Sequence, residues 1–94
     1  MIKLLDVVVI FREEDKHFLH DLKKSLPNYA KLILVMTKSS DKDTLTILEN
    51  NENETYAILE YTGVFSFCYA RNQALRLSDK KFIFITHNDV LYTG

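Results

Sequence analysis

Two polar clusters in the last quarter of this chain carry residue types able to do chemistry. Ala70-Arg71-Asn72 sets a guanidinium beside a carboxamide within a helical pattern. Thr86-His87-Asn88-Asp89 closes an apolar run and ends on a carboxylate. An arginine offers planar donors suited to phosphate. A carboxylate next to a carboxamide oxygen offers hard ligands to a divalent cation. Strand alternation sets His87 on the face opposite Thr86 and Asn88. His17 and His20 stand at i, i+3 on a helix, a spacing able to bind metal. No third ligand lies near them in sequence, so the solvent-facing reading is preferred. Cys68 has no His or basic partner at a defined spacing and reads as a buried, inert thiol.

The bulk numbers bound what these clusters can belong to. A chain of 94 residues, 47% hydrophobic and 27% charged, is one small globular domain. A net charge of −1 gives no electrostatic case for nucleic acid or an anionic membrane. One cysteine forms no internal disulfide, which fits a reducing compartment. Asp6 interrupts the N-terminal apolar stretch, so no signal peptide is read there. No apolar run reaches the roughly 18 residues of a membrane span, and cytoplasmic localisation is expected.

Four apolar runs, 7–11, 32–36, 56–59 and 82–85, must position the clusters. The first, second and fourth are nearly continuous, as in strands covered on both faces of a parallel sheet. The third is weaker and is expected at an edge. Phe18, Leu19, Leu22 and Leu26 share one helical face, and Pro27-Asn28 ends that helix. Ser40-Asp41-Lys42-Asp43 reads as a capping box opening a short second helix through about Glu49. Phe67, Ala70, Ala74 and Leu77 recur at i, i+3, i+7 and i+10, with Ser66 as the cap. The order β-α-β-α-β-α-β predicts a three-layer α/β sandwich with ligands at the carboxyl ends of the strands. Val9, Leu22, Leu34, Ala74 and Phe84 are expected in the core. Gly63 and Gly94 are the only glycines, which excludes a Rossmann fingerprint and a P-loop. A phosphoacceptor pocket is not indicated either, since the strand ends read Phe11-Arg12, Met36-Thr37 and Glu60.

The run 7–11, the segment Ser39-Ser40-Asp41 after the second run, Ala70-Arg71-Asn72 and Asn88-Asp89 together resemble the nucleotide-binding half of family 2 glycosyltransferases, of the GT-A fold. The resemblance covers 7–89. It implies a mostly parallel four-stranded sheet in the order 3-2-1-4 and a nucleotide-diphosphosugar ligand. It implies nucleotide contacts from Arg12, Thr37 and Arg71, and a Mn or Mg ion held by Asn88 and Asp89. Departures are marked. Arg12-Glu13-Glu14 stands where the family has Pro-Thr-Tyr, and the base-reading acids fall on Met36 and Thr37. One of three expected metal-site acids is present. The family's acceptor site and catalytic base follow the metal motif, and the sequence ends five residues after Asp89, so sugar transfer by these residues alone is not expected.

A second class of function competes. An α/β module with a decayed ligand site would self-associate, covering an open edge at 82–85 or an aromatic patch around Tyr61 and Phe65. A homo-oligomer is expected on that ground.

Overall fold

The computed structural model describes residues 5–13, 17, 19–78 and 83–87, the last of these as backbone. It is a small α/β domain. The elements are β1 (Leu5–Arg12), α1 (Leu19–Ser25), β2 (Ala30–Ser39), β3 (Thr44–Asn50), β4 (Glu54–Tyr61), α2 (Phe67–Leu75) and β5 (Ile83–His87). They form one five-stranded sheet in the order β3-β4-β2-β1-β5. The four apolar runs occupy β1, β2, β4 and β5. Pairings of β1 with β2, β1 with β5, and β2 with β4 are parallel, whereas β3 runs antiparallel to β4.

The sheet is therefore mixed, not the four-stranded, mostly parallel sheet expected. The difference arises at 44–50. Thr44, Leu45, Thr46 and Ile47 alternate, and β-branched residues favour a pleated surface over a helix. Of the acids read as a capping box, Asp43 instead accepts from the Thr62 N–H beyond β4 at 2.9 Å. Asn51 closes the hairpin: its side-chain oxygen accepts from the backbone N–H of Asn53 at 2.8 Å and of Glu54 at 2.9 Å. The third run consequently lies inside the sheet, with β3 outside it. Its partial polarity reflects thin cover rather than an edge.

Each face of the central strands has its own core. Val7, Val9, Phe11, Leu34 and Met36 pack with Leu22 of α1. Val8, Ile10, Ile33, Val35 and Leu59 pack with Ala70 and Ala74 of α2 on the other face. This is the layered arrangement that continuous apolar strands require. Of the expected core, Val9, Leu22, Leu34 and Ala74 are fully buried. Phe84 lies outside the residues whose side chains are described. Tyr56 joins the α1 face, edge-on to Phe11 with ring centroids 6.5 Å apart.

The helices end as their sequences dictate. Ser66 caps α2 by accepting from the Tyr69 N–H at 3.3 Å. α1 stops at Ser25, whose hydroxyl donates to the Leu22 carbonyl at 2.8 Å, just ahead of Pro27. Lys23 of α1 reaches Glu54 at 2.9 Å. Asp6 is buried at 1% exposure and accepts from the Ser78 hydroxyl at 2.5 Å. Its second oxygen has no hydrogen-bond partner among the described residues. Among the described residues no helix is long and apolar enough to cross a membrane.

Two outcomes test this packing. Leu34→Ala removes a fully buried side chain from the centre of the sheet, and urea denaturation is expected to show a loss of about 2–5 kcal/mol. Gly63 has φ of +72°, and an added Cβ would meet no atom within 4 Å. Gly63→Ala is thus expected to cost only the left-handed backbone term, about 1–2 kcal/mol in the same assay.

Candidate functional site

The carboxyl ends of β1, β2, β4 and β5 lie along one edge of the sheet, because these strands are parallel. Arg12 is the last residue of β1 and is exposed. Its register partner on β2 is Thr37. Alternation sets both on the α2 face: Ile10 and Val35, two residues earlier on each strand, pack there. The structure thus brings these two expected ligand residues together.

Their roles differ. Thr37 is 4% exposed, and its hydroxyl donates to the Phe11 carbonyl at 3.2 Å. That bond ties the end of β1 to β2 beneath the Arg12 side chain. Thr37 therefore presents little open surface at the strand end. Arg71 projects from α2 next to buried Ala70 and is exposed. α2 packs on β1 and β2, so Arg71 stands over the same face. Asn88 and Asp89, the expected metal ligands, lie outside the described residues. Among the described residues no group of three His, Cys, Asp or Glu side chains is placed to hold a metal ion.

His17 and His20 are both exposed, as the solvent-facing reading has it. Cys68 is corrected: it is exposed, in the first turn of α2. The helix buries Ala70 and Ala74, and the position two residues before Ala70 falls away from that face.

A groove of about 230 Å³ opens at the same edge, farther along the sheet. It lies between the end of β4, the loop that follows and the first turn of α2. Tyr61, Phe65 and Tyr69 line it, with Asp43 at its rim. Tyr61 and Phe65 meet at 63° with centroids 5.5 Å apart. Asp43 is held by Thr62, whose N–H donates to Oδ1 at 2.9 Å and whose hydroxyl donates to Oδ2 at 3.2 Å. The aromatic side chains from β4 to α2 are therefore divided. Tyr56 belongs to the α1-side core, whereas Tyr61, Phe65 and Tyr69 surround this groove. Asp43 was hidden from sequence reasoning because its neighbours looked like a helix cap. Its proximity to Thr62 follows only from the β3–β4 pairing.

Thr37→Val keeps the shape of the residue and removes the bond to Phe11. The expected loss is about 0.5–1.5 kcal/mol in thermal or urea unfolding, without change of secondary structure by circular dichroism. No family model, curated protein or solved structure matches this chain.

Proposed function

We propose that the chain is a nucleotide-binding domain of the family 2 glycosyltransferase kind, binding a nucleoside diphosphate or its sugar ester over the carboxyl ends of β1 and β5. The observation that carries this reading is the strand arrangement. From β1 the chain moves to β2 on one side, and from β4 it returns across the sheet to β5 on the other side of β1. Such a reversal opens a crevice beyond the carboxyl ends of the two adjacent strands, where open α/β sheets hold their ligands.

Arg12 at the end of β1 and Arg71 on α2 are the cations this reading assigns to the diphosphate. A guanidinium can give paired donors to phosphate oxygens. Thr37 acts from below by fixing the strand end that carries Arg12. Asn88 and Asp89 are the residues assigned to a divalent ion, Mn or Mg, which would supply charge neutralisation. Exposed Glu13 follows Arg12 directly and opposes a diphosphate at short range, so binding is weak. Sugar transfer is not assigned to these residues.

Calorimetric titration with uridine diphosphate at fixed Mn²⁺ tests the reading. Wild type is expected to give a saturable heat, and Arg12→Ala, Arg71→Ala and Asp89→Ala are each expected to weaken it by about tenfold, the loss of one charge-assisted contact. A silent wild type sinks the ligand assignment. Equal binding by wild type and all variants sinks the site.

A further inference from the structure

The groove beside β4 has a chemistry unlike that of a phosphate site. Three aromatic rings line it, from Tyr61, Phe65 and Tyr69, and the only charged residue among its described lining is Asp43. Aromatic faces carry negative electrostatic potential and attract cations, most strongly those too large and apolar to be well hydrated. Tyr61 and Phe65 stand at 63° to one another, so their planes bound a corner rather than a stack. Tyr69 adds a wall from α2 and is 37% exposed, while Phe65 is 41% exposed, so both rings are reachable from solvent.

Asp43 is set in place before any ligand arrives. Both of its oxygens accept from Thr62, which fixes the carboxylate across the joint between β3 and the loop after β4. Those bonds leave lone pairs and the full negative charge at the rim. A preset carboxylate above an aromatic corner complements an organic cation in both charge and surface. A phosphate or carboxylate ligand would meet repulsion from the same group.

We infer that this groove is a binding site for a small alkylammonium cation of the quaternary-amine class, seated against Tyr61, Phe65 and Tyr69 with Asp43 as its counter-charge. The volume of about 230 Å³ suits a headgroup of that size. The site is separate from the crevice at β1 and β5, and its occupant has the opposite charge.

The test compares choline with 3,3-dimethylbutan-1-ol, in which carbon replaces the charged nitrogen at the same shape. Binding to the full chain is followed by tyrosine fluorescence and by NMR shifts of the groove aromatic protons. Choline is expected to saturate in the millimolar range, and the neutral alcohol to bind at least about fivefold more weakly. Phe65→Leu keeps apolar volume and loses the ring face, and Asp43→Asn keeps an acceptor for Thr62 and loses the charge. Each is expected to weaken choline at least about fivefold with the fold retained by circular dichroism. Equal binding of choline and the alcohol overturns the inference, as does a wild type that shows no saturation by about 50 mM, a ceiling well above the expected millimolar range. Undiminished binding in both variants overturns it as well.

Discussion

Everything in this domain depends on covering β1 and β2 from both sides. Val7, Val8, Val9, Ile33, Leu34 and Val35 are all fully buried, and successive residues point to opposite faces. Neither strand can meet water on either face, so a helix must lie on each. α1 does this with Leu22, and α2 does it with Ala70 and Ala74. The alanines matter because they let the α2 backbone approach the sheet closely. A larger side chain at either position would lift the helix and, with it, the aromatic wall supplied by Tyr69.

The same constraint explains what the sequence made legible. Strands buried on two faces read as unbroken apolar runs, so β1 and β2 could be found without knowledge of the fold. The spacing of Phe67, Ala70, Ala74 and Leu77 marked α2, and Ser66 marked its start, because an amphipathic helix and its cap are local matters. β3 was not legible for the opposite reason. It is covered on neither face along most of its length, with Ile47 51% and Leu48 57% exposed. Its local signal is confined to the short alternation at 44–47, since a bulge between Ile47 and Glu49 interrupts the pattern, and the rest depends on pairing with β4. The acids before it looked like a helix start because a short polar side chain can satisfy a backbone donor locally, as a cap does, or far along the chain, as Asp43 does at Thr62.

Site residues divide along the same line. Arg12 and Thr37 were singled out by what the family resemblance implies, and the parallel register makes them partners. Burial of Thr37 and its bond to Phe11 depend on how far the sheet extends past the core, which composition does not reveal. Asp43 gains its meaning only through Thr62, 19 residues away. The carboxyl edge consequently has two electrostatic ends, an arginine at β1 and a carboxylate beyond β4.

The topology also has a history built into it. The β3–β4 hairpin closes over a few residues through Asn51, a contact a chain finds quickly. By contrast, Asp6 and Ser78 are joined across 72 positions, and β1 gains its neighbour β5 only through pairs such as Asp6 with Ile83. Closing so long a loop is slow, because its entropy is lost before the contacts reward it. On the ribosome β1 emerges first and β5 last among the described strands. Throughout that interval β1 is apolar on both faces and bare along one edge, the state most exposed to pairing with a neighbouring nascent chain. Arrival of β5, with Ser78 latching onto Asp6, is the event that ends this vulnerability.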